Sequence, residues 1–543
     1  MVLVLLHWIV LWISLPLVGY LLFTIVYKNN TSRSYFEYLW IGYAGLTGYL
    51  QLISLFLPMK SKFVLMGFIL ICFLGIFSII EKYRKFSIKN LYLQCKKRWR
   101  YILIILTFIF LGLYSSTKNV TLVDTYLYHF NMVAWNRNYP VVPGLANLHD
   151  RLGFNSSFLL VAGFVERFLK QGYSTFILNG YLTISLLIYY FFIAIKKTEG
   201  RFVRSFATLM LPFIISMLFY NETSSLSTDL PVGIFSLIFT MSLIQKRQSY
   251  LYMITLALLL PTLKLSGIIA PLFIFTLLFI KRIKVKTIIS KSIVGLIIFL
   301  GFIGRNIILS GYPLYPLVIF GLNIKWKVPM DRVNALISVI NAYPKMSNLE
   351  YLNSPNKGTL IWLGDWWLKV KNKIEIKMFI FGLLSFITLR KQLFQKDKYK
   401  YLLIFAYSFT SILLLLTMSP DIRFGTAYFW IFGIGTITTF ITNNIKRKDV
   451  QLLVCSLATI TLISFYILPN FKFNESPVYL FDLSNHIGIK QLTKESLIDG
   501  TTLWRPKGSD LCGNERLVCT PNATTGVVLI NVNDISKGFY LKQ

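Results

Sequence analysis

Residues 81–130 read EKYRKFSIKNLYLQCKKRWRYILIILTFIFLGLYSSTKNVTLVDTYLYHF. Three kinds of segment follow one another here. A tract with eight Lys/Arg and one Glu (81–100) is followed by an uncharged apolar run (101–115). A polar stretch carrying Asp124 and His129 comes next. A hydrocarbon core about 30 Å thick calls for roughly 20 mostly apolar helical residues, and basic loops stay on the cytoplasmic side. The segment therefore reads as one membrane crossing that starts inside and delivers Asp124 to the outer boundary.

The rest of the 543-residue chain repeats this pattern. Hydrophobic residues make up 55 %, aromatics 16 % and charged residues 14 %, where a soluble domain carries about 25 % charged residues. Mean hydropathy is +0.61. These values exclude a soluble enzyme, a disordered chain and a secreted disulfide scaffold. Candidate spans fall at 2–27, 37–57, 62–80, 101–115, 173–195, 205–219, 230–244, 251–263, 265–280, 292–310, 374–389, 401–418, 426–442 and 450–468. The short pair 251–263 and 265–280 also reads as one re-entrant hairpin, so the expectation is about 12–14 spans in an all-α polytopic protein.

Charge sorts the connections. Loops 28–36, 81–100, 196–204, 245–250, 281–291, 390–400 and 443–449 hold 29 basic and 4 acidic residues of a chain whose net charge is +34. The alternate segments, 58–62, 116–155, 220–229, Lys264, 311–373, 419–425 and 469–543, hold 23 basic and 15 acidic residues. The positive-inside rule puts the first set in the cytoplasm, against membrane lipids, and the second set outside with both termini. The excess charge is thus no nucleic-acid footprint. Residues 2–27 read as a retained helix, because Lys28 follows the apolar run and a cleaved signal has the opposite charge order.

The outer face carries the large loops and the tail, so the chemistry is expected there. Cys72, Cys95 and Cys455 read as small apolar packing residues. Cys512 and Cys519, in SDLCGNERLVCTP, read as a loop disulfide; C-x6-C has no second pair for zinc. TGVVLINV in the tail suggests a strand-rich or α+β cap. No P-loop, GxGxxG, nucleophile-elbow or HExxH pattern occurs.

The first outer loop gathers Asp124, His129, Trp135, Arg137, His149, Asp150 and Arg151 in 28 residues. A carboxylate at that depth can act as a base, and the arginines and histidines can hold a phosphate. The structural alternative makes Asp124 a helix cap and the histidines packing residues. Lys264, in PTLKLSGI, interrupts two short apolar segments. It reads either as a functional cation or as a lysine snorkelling to the interface. Arg305, in FIGRNIILSGYP, reads as a lipid-phosphate clamp or as half of a buried ion pair. Asp421 and Arg423 are expected to pair with each other or with the first loop. Tyr312, Tyr315, Trp362, Trp366 and Trp367 suit an interfacial belt or sugar stacking, and Asp365 is a weaker acidic candidate.

An acidic residue after an early span, then Tyr-His, Trp and Tyr-Pro, then SSFLLVAGFVERFL, resembles the first outer loop of the GT-C superfamily. These are polytopic glycosyltransferases that use polyprenyl-phosphate sugars. VPGLANLH, RLGFNSS, STDLPVGI, LKLSGI, GRNIILSGYPLYP, PDIRFG and the tail ending LVCTP and GFYL resemble an uncharacterised bacterial family of GT-C-like inner-membrane proteins. The resemblance runs from about residue 100 onward. It implies an N-terminal three-span module (1–100), a GT-C-like core (101–468) with outer loops 116–172 and 311–373, and a periplasmic C-terminal α+β domain (469–543).

Asp124 falls on the superfamily's catalytic acidic position. Many members have two adjacent acids there, whereas this chain has Asp124-Thr125. A second carboxylate, where the chemistry needs one, must come from Asp150, Glu222 or Asp229, which leaves a divalent metal open and assigns no metal ligand. The resemblance implies an inverting transfer of a sugar from a polyprenyl-phosphate donor to a glycan or lipid acceptor at the periplasmic face. Arg305, Lys264, His129 and Arg137 would hold the donor phosphate, with Trp135, His149, Asp229 and Arg423 in the substrate loops. The alternatives are an O-antigen ligase or polymerase-like enzyme, and a transporter or flippase of lipid-linked sugars.

Overall fold

The computed structural model describes residues 1–26, 33–82, 99–245, 249–345, 362–393, 399–445, 447–462 and 487–542; within the last range, 489, 498, 515, 523–525 and 533 are left out. Cys95 and most of the basic loop 81–100 lie outside the described residues, as does much of 390–400.

A helix lies on each of the fourteen candidate spans. They are α1 (Val2–Val26), α2 (Tyr35–Ile53), α3 (Lys62–Lys82), α4 (Trp99–Ser116), then the loop helices α5 (Phe130–Asn138) and α6 (Ser157–Val165), then α7 (Leu178–Ile195), α8 (Arg201–Met217), α9 (Asp229–Ile244), α10 (Tyr250–Leu263), α11 (Ile269–Ile280) and α12 (Val285–Ser310). Loop helices α13 (Met330–Ala342) and α14 (Trp362–Val370) precede α15 (Ile374–Leu393), α16 (Tyr399–Met418), α17 (Thr426–Asn444) and α18 (Lys448–Leu462). Six described helical segments are long and apolar enough to cross a membrane, and four shorter apolar helices accompany them. The chain is a mostly helical protein of the membrane class.

The short α10 is explained by its surroundings. Residues 251–263 are all buried, so this helix is lined by protein all round and need not match a bilayer. It ends where Lys264 takes an extended conformation, and one 3₁₀ turn (Leu265–Ile268) leads into α11. The first three helices are packed onto the rest: α1 lies on α2, and α2 lies on α12. The α1–α2 crossing needs glycine. A Cβ on Gly42 would stand 1.7 Å from the Leu15 carbonyl oxygen, so the two backbones touch as small-residue membrane crossings do.

The tail forms two antiparallel pairs, β1 (Leu492–Ser496) with β2 (Thr502–Pro506) and β3 (Val527–Leu529) with β4 (Phe539–Leu541). It lies on the first loop. Phe539 donates its N–H to the Pro143 carbonyl at 2.9 Å, and Thr520 Oγ1 donates to the Leu148 carbonyl at 2.9 Å. Gly144 has φ +61, and a Cβ there would meet the Phe539 carbonyl oxygen at 2.0 Å. Cys512 and Cys519 are disulfide-bonded.

Candidate functional site

Asp124 precedes a single π-turn, Thr125–His129, that feeds α5; π-turns of this kind are frequent at functional sites. Its side chain makes no capping hydrogen bond. It is turned to arginines instead: Oδ2 accepts from Arg423 Nη2 at 3.2 Å, and Oδ1 lies 3.6 Å from Arg151 Nη1. Arg423 comes from the 3₁₀ turn Ile422–Gly425 that starts α17. The Asp421 carboxylate accepts the Arg423 backbone N–H at 3.0 Å and so sets the turn.

The same guanidinium places Nε 3.3 Å from Asp229 Oδ2, on the first residue of α9. The other Asp229 oxygen accepts from Lys264 Nζ, at the end of α10. Lys264 Nζ also stands 3.5 Å from the centroid of the Phe424 ring, a cation–π contact. Four stretches of the chain thus meet through one chain of five charges, Arg151–Asp124–Arg423–Asp229–Lys264.

Burial and charge oppose each other at Asp124. Burial pushes its carboxyl up, but the fields of His129, Arg423, Lys264 and Arg151 together bring it below the ordinary carboxylate value. His129 contributes little of this at neutral pH, because burial lowers its imidazole to about 4. Arg423, Lys264 and Arg151 are then the groups whose fields favour the Asp124 carboxylate. His129 is 2 % exposed, and both ring nitrogens lack a partner among the described residues. Glu222 lies beyond Asp229, and burial, reinforced by the Asp229 and Asp421 charges, raises its carboxyl.

A small, partly open cleft with about 40 Å³ of free space adjoins the cluster. Glu222, Asp229 and Arg423 form its polar part; Leu230, Val232, Ala427 and Tyr428 continue it as an apolar wall between α8, α9 and α17. The cluster residues Asp124, Arg151, Glu222, Asp229, Lys264, His129 and Arg423 are the expected ones that the fold brings together.

The other candidates lie elsewhere. Arg305 is fully buried on α12 and donates to Asn155 Oδ1, Ser54 Oγ and Asn136 Oδ1 at 2.9, 2.7 and 2.8 Å. Its acceptors are neutral: two amides and a hydroxyl hold the guanidinium where the two sequence readings offered a lipid phosphate or a carboxylate. Arg137 faces Glu166 at 3.5 Å and donates to the Leu169 carbonyl. Trp135 is buried with its ring beside Phe539 of the tail. His149 Nδ1 is 3.0 Å from Asp150 Oδ1, and Tyr315 donates to the Asp150 carbonyl, beneath the tail. Tyr312 is buried and donates to the Val328 carbonyl.

Sequence reading missed Phe424 and Glu166. Phe424 adjoins Arg423, an aromatic–cation pairing that could have marked it. Glu166 is the lone acid of the apolar stretch SSFLLVAGFVERFL, which would have shown that it needs a partner.

No group of three or more His, Cys, Asp or Glu side chains suited to a metal ion occurs among the described residues. The Asp124 and Asp229 oxygens already face protein cations, so this donor set does not fit a metal.

Fold and cluster together define a mostly helical protein of the membrane class with a charged site, among the described residues, where several helix ends meet. The chain belongs to the family described as "Domain of unknown function (DUF8201)", whose model matches residues 1–430. That range takes in the first three helices and every member of the charged chain from Asp124 to Arg423. No curated protein and no solved structure matches the chain.

Proposed function

We propose that this protein is an inverting glycosyltransferase of the GT-C type in the bacterial inner membrane, using a polyprenyl-phosphate-linked sugar at the periplasmic face. The observation that carries the reading is Arg423 held between Asp124 and Asp229, with Lys264 and Arg151 at either end, beside an apolar-walled cleft. The basic loops 196–204 and 281–291 sit at the opposite helix ends, which supports an outward cluster under the positive-inside rule.

In the resting arrangement Asp124 is a weak base, because three cations stabilise its charge. A donor phosphate competes for Arg423, Lys264 and Arg151. As it draws them away, Asp124 loses that stabilisation and its basicity rises. Asp124 then accepts the proton of the acceptor hydroxyl. The hydroxyl oxygen bonds to the anomeric carbon from the face opposite the phosphate. The anomeric carbon–phosphate oxygen bond breaks, and polyprenyl phosphate leaves with the electron pair, its growing charge met by Arg423 and Lys264.

The test is transfer by the purified protein in vesicles containing polyprenyl-phosphate hexose and envelope glycolipids, followed as release of polyprenyl phosphate by mass spectrometry. Asp124→Asn is expected to lower release by about 10²–10⁴-fold, the span of general-base effects, with unchanged helicity. Near-normal release by that variant overturns the base assignment. Movement of intact donor between leaflets, with no bond broken, would instead make the protein a transporter.

A further inference from the structure

At the end of the bundle opposite Asp124, α11 and α12 are joined by the four residues Lys281, Arg282, Ile283 and Lys284. The two helices diverge from this turn: α11 leans on α10 and α16, whereas α12 leans on α10 and α2. The space between them is a V-shaped groove of about 920 Å³. Its walls are Phe275, Phe279 and Ile280 from α11 and Val285 and Ile288 from α12, with Arg282 and Lys284 at the apex. Phe279 is 83 % exposed, so the groove opens to the surroundings of the bundle.

Charge identifies the occupant. Residues 281–291 contain five Lys/Arg and no acid. Arg282, Lys284 and Lys286 are exposed. The first turn of α12 adds the positive end of a 26-residue helix at the same apex. Arg282 takes φ +52, a left-handed conformation that favours glycine. A cation is thus kept at the apex where glycine would be the easier residue. A second copy of this surface would bring five cations against five. An anionic lipid offers one phosphate to the apex and two apolar chains to the walls, as in basic pockets between transmembrane helices.

We infer that the α11–α12 groove is a binding site for an anionic phospholipid, its phosphate at Arg282, Lys284 and Lys286 and its acyl chains against Phe275, Phe279 and Ile288. The site is separate from the Asp124 cluster and does not depend on the glycosyltransferase reading.

Native mass spectrometry of the full chain, exchanged into mixed micelles of phosphatidylglycerol and phosphatidylcholine, tests it. The wild type is expected to retain phosphatidylglycerol at least fivefold over phosphatidylcholine. The triple variant Arg282→Gln, Lys284→Gln, Lys286→Gln is expected to lose that preference. Lys197→Gln with Arg201→Gln, in the other described basic loop, is expected to keep it. Equal retention of the two lipids by the wild type overturns the proposal. So does an equal loss in both sets of variants, or a groove filled by a second copy, seen as a dimer free of lipid.

Discussion

Arg423 reaches Asp124 across 299 positions of sequence, Nη2 to Oδ2 at 3.2 Å. Through its Nε it also lies against Asp229. One side chain therefore keeps two carboxylates close together that would otherwise repel. Arg423→Gln is expected to cost about 1–2 kcal/mol, moderated by the partial exposure of the pair. Transfer should fall by at least tenfold in Arg423→Gln and less in Arg423→Lys. Thermal unfolding in detergent, with the vesicle assay, reads both; unchanged stability and rate in Arg423→Gln would remove the bridge from the account.

Asp124 and Glu222 predict opposite pH behaviour. The Asp124 value is depressed on folding, so its stabilisation is present above the unfolded value near 3.8 and is lost as pH falls through the lower folded value. Glu222 is raised, so its neutral form is the better fit. Its contribution is full below the unfolded value of 4.5 and is lost as pH rises through the folded value. Glu222→Gln should therefore melt higher than wild type at pH 7 and level with it at pH 4. A gap that is largest at pH 4 would reverse the sign.

Arg305 predicts a defect of assembly rather than chemistry. Its three acceptors belong to the end of α2, to α5 and to the loop before α6, so one guanidinium ties α2 and α12 to the first outer loop. Arg305→Met leaves Ser54, Asn136 and Asn155 without their donors and should cost about 3 kcal/mol or more. Lysine presents one ammonium where three nitrogens stood, so Arg305→Lys should recover little. The molecules that do fold should keep their transfer rate, measured per folded protein.

The tail predicts a coupling between a disulfide and a distant loop. Gly513 donates to the Tyr126 carbonyl at 2.8 Å, and Thr520 holds Leu148. The bridged segment thus grips both arms of the loop that carries Asp124 and Arg151. Cys512→Ser with Cys519→Ser should cost about 2 kcal/mol for so short a loop. It should also speed hydrogen exchange over residues 123–151. Exchange that rises only within the tail would break the link.

The helices were legible because apolar runs and alternating basic loops carry most of the free energy of a membrane fold. Six members of the cluster, Asp124, Arg151, Glu222, Asp229, Lys264 and Arg423, were legible as scarce charges beside apolar segments, and His129 as a histidine in the first loop. Their pairing was not. Nothing local says that Lys264 answers Asp229, or that Arg423 is shared between two acids; those facts arise from how α9, α10 and α17 converge. Arg305 shows the converse limit. A buried arginine suggests a phosphate or a carboxylate, and its neutral acceptors come from three segments 150 to 251 positions away. The matched family region begins at residue 1, so it includes the three helices that read from sequence as a separate N-terminal module.

Asn147 of the first loop donates to the carbonyl of Phe539, 392 positions later. At about 5–20 residues per second of synthesis, the loop waits roughly 20–80 s for its cover. During that interval Gly144, Trp135 and Leu148 stand without the strand that packs on them, and any chaperone acting on this protein has a defined target and a defined window. A ribosome that stalls before residue 512 would leave a bundle complete in its helices and open at the loop that carries Asp124.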